Sequence, residues 1–107
     1  MKRISKNGLF WIEDVGSNQS NVGITKAAII KFGCIHVYIP RVISGVAIKQ
    51  DQVLASLEGS KALAPLLSPV SGKLTAVNSA VIDTPYEIGP DHVLFKVENP
   101  EWKEGFL

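Results

Sequence analysis

Short apolar segments separated by turn residues constrain the fold of this chain more than any other feature. Each segment is rich in Val, Ile, Leu or aromatic residues and is bounded by Gly, Pro, Asn or Ser, a pattern typical of β-strands. Strands are predicted at residues 9–12, 22–24, 35–40, 46–48, 53–57, 62–67, 74–77 and 93–97. Many short strands at close spacing predict a mainly β fold, either a small sandwich or a flattened barrel.

One segment departs from this pattern and predicts a short helix near residues 25–32. Thr25 can act as an N-cap, and the Ala and Ile residues of Lys26 to Phe32 favour one or two helical turns. Gly33 then supplies a C-terminal stop. The helix should therefore lie between the hairpin of residues 9–24 and the strand that begins at Ile35.

The segment 35–40 alternates with a period of two residues. The alternation predicts that Ile35, Val37 and Ile39 lie on the buried face of a strand, with His36 and Tyr38 on the other face. Because Pro40 lacks a backbone N–H group, it should end the strand. We therefore expect a half-buried strand.

The composition limits the architecture and the classes of partner. A chain of 107 residues is about one domain long, so we expect a single domain over 1–107, with a core at about 9–97 and a tail at 98–107. With 11 basic and 10 acidic residues, the chain lacks the excess of cations that a nucleic-acid surface or a polybasic membrane patch needs. Proteins are the expected partners.

Cysteine usage and the apolar segments bear on the cellular compartment. Cys34 is the single cysteine, which fits a reducing compartment, and we expect it to be a half-buried apolar residue. With His36 and His92 it falls short of a zinc-ligand set, so no metal site is predicted. No secretory signal or membrane span is predicted either, which indicates a cytoplasmic protein.

Lys61 is the candidate functional residue. It lies in the small-residue segment Leu57-Glu58-Gly59-Ser60-Lys61-Ala62 between two predicted strands. A lysine at the tip of a hairpin holds its amine in solvent, where covalent modification is easier than in a core. The alternative, a plain solvated lysine, is the commonest role of any single lysine.

Residues around Lys61 make the chain resemble the lipoyl domain family, and more narrowly the glycine cleavage system H protein and its short H-like relatives. In lipoyl domains a glycine lies sixteen residues before the modified lysine, an acidic residue three before it and a glycine eleven after it. Here those positions hold Gly45, Glu58 and Gly72. The resemblance covers roughly residues 9–97. It implies the lipoyl-domain fold, a barrel-sandwich hybrid.

The resemblance implies that lipoate is attached to Lys61 by a lipoate-protein ligase or a lipoyl transferase. It assigns recognition by that enzyme and the geometry of the hairpin to a set of neighbouring residues: Glu58, Gly59, Ser60, Ala62, Gly45 and Gly72. In that set Gly45 and Gly72 are expected to form tight turns. The carrier itself would perform no acid–base step.

The implied function is that of a non-catalytic carrier in glycine catabolism. The lipoyl-lysine would shuttle an aminomethyl group and reducing equivalents among three enzymes. These are glycine decarboxylase (the P-protein), aminomethyltransferase (the T-protein) and dihydrolipoamide dehydrogenase. No nucleophile–base pair, carboxylate pair or phosphate loop in the sequence points to an enzyme instead.

Two alternatives stay open beside this interpretation, and a third is disfavoured. The segments Leu9-Phe10-Trp11 and Gly89 to Leu94 depart from the full-length H protein, and Leu107 leaves no room for its C-terminal helix. These departures favour an H-like carrier for lipoate relay or redox-linked ADP-ribosylation, with macrodomain or sirtuin-like partners. An unmodified interaction domain is another alternative. A biotinyl carrier is disfavoured, because Ser60 and Ala62 stand where methionines would flank the lysine.

Overall fold

The computed structural model describes residues 2–102 and contains two antiparallel sheets that do not close into a barrel. Its strands are β1 (Lys2–Ile4), β2 (Phe10–Gly16), β3 (Gln19–Ile24), β4 (Ile35–Pro40), β5 (Ala47–Ile48), β6 (Val53–Gly59), β7 (Leu63–Leu67), β8 (Ser71–Val77) and β9 (Phe95–Glu101). The helix α1 spans Lys26–Phe32, and a 3₁₀ helix spans Pro85–Glu87. The predicted mainly β fold with one short helix is confirmed.

The two sheets are built from different parts of the chain. The larger sheet has six strands in the order β1-β2-β3-β9-β8-β5, and the smaller sheet has three strands in the order β4-β6-β7. Within the larger sheet, β9 lies between β3 and β8 and so connects the β2–β3 hairpin to the β5–β8 pair. Among residues 2–102, no helix is both long and apolar enough to cross a bilayer.

Helix α1 has the predicted bounds and the predicted caps. The Thr25 hydroxyl accepts a hydrogen bond from the Ala28 N–H at 3.1 Å and donates one to the Gly8 carbonyl at 2.5 Å. At the other end, Gly33 has a φ of 76°, and its N–H donates to the Ile29 carbonyl at 2.9 Å. A glycine adopts this left-handed conformation at little cost, so the chain can leave the helix sharply towards β4.

The core lies between the two sheets and the buried face of α1. Ala28 and Phe32, four residues apart on one face of the helix, are fully buried. They join buried side chains from the strands of both sheets and from the segments that connect them. The strands contribute Phe10, Ile12, Val22, Ile24, Ile35, Tyr38, Ile48, Leu54, Ala55, Leu57, Leu66, Leu74, Phe95 and Val97, and the connecting segments contribute Val70, Val81, Ile88 and Leu94. One contiguous core therefore holds the sheets against each other.

The predicted faces of β4 are partly wrong. Ile35 is buried as expected, but Tyr38 is 1% exposed and Ile39 is 41% exposed, the reverse of the prediction. The pairing of β4 with β6 shifts register between Ile35 and Val37, which marks a β-bulge. A bulge adds one residue to one strand, so the alternation is displaced beyond it.

The larger sheet extends beyond the predicted core at both ends. Strand β1, which lies before residue 9 in the sequence, pairs with β2. At the other end, β9 continues past residue 97 to Glu101. Trp102 packs against the core, and its ring lies 4.8 Å from the Arg3 guanidinium. Residues 98–102 of the expected tail thus belong to the sheet and its edge, while residues 103–107 lie outside the described residues.

Candidate functional site

Lys61 lies at the tip of the β6–β7 hairpin, as the sequence predicts. Residues 60–62 connect the two strands, and the Gly59 N–H donates to the Ala62 carbonyl at 2.8 Å across the turn. Lys61 and Ser60 are exposed, whereas Ala62 is half-buried and packs against the core. The amine is therefore carried by a short, closed turn with its side chain in solvent.

The turn is clamped to the end of α1 by three hydrogen bonds. The Lys61 N–H donates to the Phe32 carbonyl at 2.9 Å, and the Ser60 N–H donates to the Cys34 carbonyl at 2.9 Å. In return, the Cys34 N–H donates to the Ser60 hydroxyl oxygen at 3.0 Å. Two of these bonds are between backbone groups, whereas the third requires the Ser60 hydroxyl.

Two glycines allow the close approach on which this clamp depends. A Cβ atom on Gly59 would overlap the Phe32 carbonyl oxygen and lie 2.7 Å from the carbonyl carbon. A Cβ atom on Gly33 would collide with the Ser60 hydroxyl and lie 3.0 Å from the Lys61 Cγ. The aliphatic stem of Lys61 thus crosses the space above Gly33, so the base of the side chain has a defined direction.

The segment Phe32 to Cys34 was not predicted to be part of the site. In the sequence, Gly33 is predicted to end the helix, and none of its neighbouring residues indicates that it faces Lys61. The pairing of Ile35 with Gly59 brings the end of α1 beside the turn, and that pairing is a contact between distant parts of the chain. The predicted half-buried state of Cys34 is wrong, because the residue is exposed beside Ser60.

Glu58 lies next to the turn on the outer side of the smaller sheet. It is exposed and stands opposite Leu63 on β7 and Val37 on β4. Neither Glu58 nor Lys61 forms an ion pair within residues 2–102. The carboxylate is therefore open to a partner that approaches the turn.

Gly45 and Gly72 lie in another part of the molecule. The Gly45 N–H donates to the Leu74 carbonyl at 2.6 Å, and Gly72 pairs with Ile48, so both belong to the β5–β8 side of the larger sheet. Gly72 is inside β8 and not in the tight turn that was expected. A Cβ atom there would lie 2.8 Å from the Glu98 carbonyl oxygen. Both glycines contact the larger sheet and not the attachment turn.

The remaining polar candidates do not converge on one place. His36 is exposed on β4, while the His92 Nδ1 accepts a hydrogen bond from the Gly89 N–H at 2.8 Å. The buried Trp11 donates from Nε1 to the Pro90 carbonyl at 2.8 Å, so these loop contacts cover one end of the core. Within residues 2–102, the structure contains no cluster of three His, Cys, Asp or Glu residues suited to a metal ion.

Comparison with known proteins identifies the family. Residues 1–99 match the family model described as "Glycine cleavage H-protein". The chain belongs to the glycine cleavage H-protein family. A glycine cleavage system H protein from Synechococcus sp. (strain JA-3-3Ab) is 36% identical over 86 residues, which cover 75% of this chain and 66% of that protein. Another, from Tropheryma whipplei (strain Twist), is 40% identical over 79 residues, 72% of this chain and 64% of that protein.

The alignments give the share of each relative's length that this chain spans, and comparison with a solved structure shows the fold. The chain spans slightly less than two thirds of the length of these two relatives. A crystal structure of a glycine cleavage system H protein from Mycobacterium marinum superimposes with a TM-score of 0.80 and 24% sequence identity. That superposition covers 99% of this chain and 88% of the other, so the H-protein fold is present across the chain.

Proposed function

We propose that this chain is a lipoyl carrier of the glycine cleavage type and that Lys61 is its attachment residue. The observation that carries the proposal is the display of Lys61, an exposed side chain on a closed turn that the backbone clamps to α1. Membership of the H-protein family supports it, because the relatives are glycine cleavage system H proteins.

The residues of the turn suit the attachment of an acyl group. In the loading step the neutral Lys61 Nζ attacks the carbonyl carbon of an activated lipoyl group, such as a lipoyl adenylate. A C–N bond forms, the bond between the carbonyl carbon and the phosphate oxygen breaks, AMP leaves in the case of a lipoyl adenylate, and the amine loses a proton to the loading enzyme. The clamp holds the turn still during this attack, so less conformational freedom is lost when the enzyme binds.

Bound lipoate would supply a disulfide that takes up two electrons and carries an aminomethyl group. The described residues contribute the tether and its position, and the three cleavage enzymes supply the chemistry. The partners we infer are the glycine decarboxylase, the aminomethyltransferase and dihydrolipoamide dehydrogenase, together with a lipoate-protein ligase or transferase. On this proposal the chain is a carrier and not an enzyme.

Mass spectrometry of the loaded protein tests the assignment of Lys61. Purified protein incubated with a lipoate-protein ligase, lipoate and ATP should gain one lipoyl group, located by peptide mapping at Lys61. Lys61→Arg should gain none, and its free energy of unfolding should stay within about 0.5 kcal/mol of the parent, because the side chain is exposed. The matched control is Lys73→Arg, a change at an exposed lysine on β8 that should leave loading intact.

The same experiment, followed by a turnover assay of the loaded protein with the glycine decarboxylase and aminomethyltransferase, separates the alternatives. A parent protein that stays bare beside a ligase that loads another carrier would indicate an unmodified interaction domain. Acylation of Lys61→Arg at a different lysine, with normal carrier activity, would show that the attachment residue is misassigned. Loading at Lys61 without turnover by the glycine decarboxylase and aminomethyltransferase would favour an H-like carrier with another client.

A further inference from the structure

The smaller sheet turns an apolar surface towards solvent. Its outer face is formed by side chains from all three strands: Val37, Ile39, Val53, Leu63, Pro65 and Leu67. Leu63 is 72% exposed, and Ile39, Val53 and Leu67 are each about 40% exposed. The opposite face carries the buried Tyr38, Leu57 and Leu66. The smaller sheet is therefore apolar on both sides.

The core does not account for the apolar character of the outer face. The solvent side of an antiparallel sheet normally alternates to polar residues. Here the polar groups on the outer face are Ser56, Glu58 and the Arg41 guanidinium, whose Nε donates to the Ser56 hydroxyl oxygen at 3.0 Å. Contiguous exposed apolar patches of a few hundred Å² on small proteins are often binding surfaces.

The outer face is continuous with the attachment turn. The first row of the outer face, meaning the paired residues nearest the turn, consists of Val37, Glu58 and Leu63. Glu58 lies near the end of β6 and Leu63 begins β7, so both lie beside the turn that carries Lys61. An enzyme that joins a carbonyl carbon to Lys61 Nζ must come within bonding distance of that nitrogen. It therefore has to cover the residues beside the turn.

The size of the outer face argues against a second copy of this chain as the occupant. Three strands spaced about 4.8 Å apart, each with about five residues rising about 3.3 Å, give a projected area of about 240 Å². A stable protein–protein interface buries about 800 Å² of accessible surface on each partner, several times this projected area. The outer face alone is too small for a stable dimer, but it suits transient docking by an enzyme whose contacts continue onto the turn.

We propose that the outer face is the docking surface for the enzyme that acylates Lys61. This inference rests on the proposed function. The enzyme meets the outer face with an apolar surface and places a basic side chain opposite Glu58, the carboxylate in the first row. The face supplies binding energy and orientation, and Lys61 supplies the nucleophile.

Steady-state loading kinetics test this docking surface. With a lipoate-protein ligase, lipoate and ATP, Leu63→Ser and Ile39→Ser should each raise the KM for the carrier about fivefold or more and leave kcat unchanged, because docking is weakened and not the chemistry. Ile39 lies on β4 opposite Ser56, away from turn residues 60–62, so a rise in KM shared by Ile39→Ser and Leu63→Ser is not explained by a local change in the turn. The matched control is Ile43→Ser, since Ile43 is 73% exposed and lies outside both sheets.

Each outcome decides for or against the docking surface. Parental KM values for both Leu63→Ser and Ile39→Ser, in variants whose thermal unfolding is unchanged, would overturn it. An equal rise in KM for Ile43→Ser would also overturn it, because the effect would then be a general loss of surface hydrophobicity. A parent protein that sediments as a dimer, and becomes monomeric on Leu63→Ser, would assign the outer face to a second copy. Failure of the parent to be acylated would instead count against the proposed function.

Discussion

Tyr38 carries a buried hydroxyl that works against folding. The residue is 1% exposed on the inner face of β4, and its hydroxyl has no hydrogen-bond partner within residues 2–102. A buried polar group without a partner loses its hydration and gains nothing in return. Burial also raises the pKa of the Tyr38 hydroxyl above its ordinary value.

Tyr38→Phe should therefore stabilise the protein. We expect the free energy of unfolding at neutral pH to rise by about 1 kcal/mol, since the change removes an unpaired hydroxyl and keeps the ring. Denaturation in urea measures the change. The matched control is Tyr86→Phe, because Tyr86 is 65% exposed and loses no buried group. A less stable Tyr38→Phe would mean that the hydroxyl has a partner after all.

The raised pKa of Tyr38 also predicts a dependence of stability on alkaline pH. The folded state holds the proton more tightly than the unfolded chain, where tyrosine titrates near pH 10. The stabilisation linked to this proton is complete below about pH 10 and is lost as the pH rises towards the folded pKa. Unfolding midpoints of the parent should fall above about pH 10. Those of Tyr38→Phe should fall less steeply, whereas Tyr86→Phe should follow the parent.

At the scale of elements, the position of the β6–β7 hairpin depends on its contact with the end of α1. Gly59→Ala should break that contact, because the new Cβ atom would overlap the Phe32 carbonyl. We expect a loss of about 2 kcal/mol in the free energy of unfolding, as in other overpacked sites. The rate of Lys61 acylation should fall as well, because the hydrogen bond from the Lys61 N–H to Phe32 is strained.

Gly89→Ala is the control for the substitution at Gly59. A Cβ atom on Gly89 would meet the His92 Nδ1 at 3.6 Å, an ordinary contact distance. Its stability and its acylation rate should match those of the parent. If Gly59→Ala were as stable and as readily acylated as Gly89→Ala, the clamp would have no part in displaying the lysine.

The elements also show how far local sequence determines this fold. The bounds of α1 follow from Thr25 and Gly33, which act through bonds within one or two turns. The turn at Lys61 likewise follows from its small flanking residues. The faces of β4 do not, because the bulge after Ile35 arises from pairing with β6. The clamp on the turn was missed for the same reason, since it forms between parts of the chain that meet only in the folded state.

At the scale of the whole molecule, β9 completes the larger sheet. It is the last strand in the sequence, yet it lies between β3 and β8 and so connects the first hairpin to the β5–β8 pair. Its final residues contribute to both sides: Glu98 pairs with Gln19 and Lys73, and Glu101 pairs with Ser71. The expected core boundary at residue 97 would cut this strand in half.

Truncation after Val97 should therefore destabilise the entire domain. It removes the pairing of residues 98–101, the hydrogen bond from the Asn99 N–H to the Asn18 carbonyl at 2.7 Å, and the contact of Trp102 with Arg3. We expect a loss of about 2–3 kcal/mol in the free energy of unfolding, from several hydrogen bonds and one partly buried aromatic side chain. For a chain of this size the thermal midpoint should fall by about 10 °C.

A chain that ends at Trp102 is the control for this truncation, because it keeps all of β9 and lacks only residues 103–107. If the chain ending at Val97 unfolded at the same temperature as the chain ending at Trp102, the second half of β9 would add nothing to the domain. If both lost stability equally, the loss would come from residues 103–107. The difference between the two truncated chains therefore measures how much residues 98–102 contribute to the stability of the scaffold that displays Lys61.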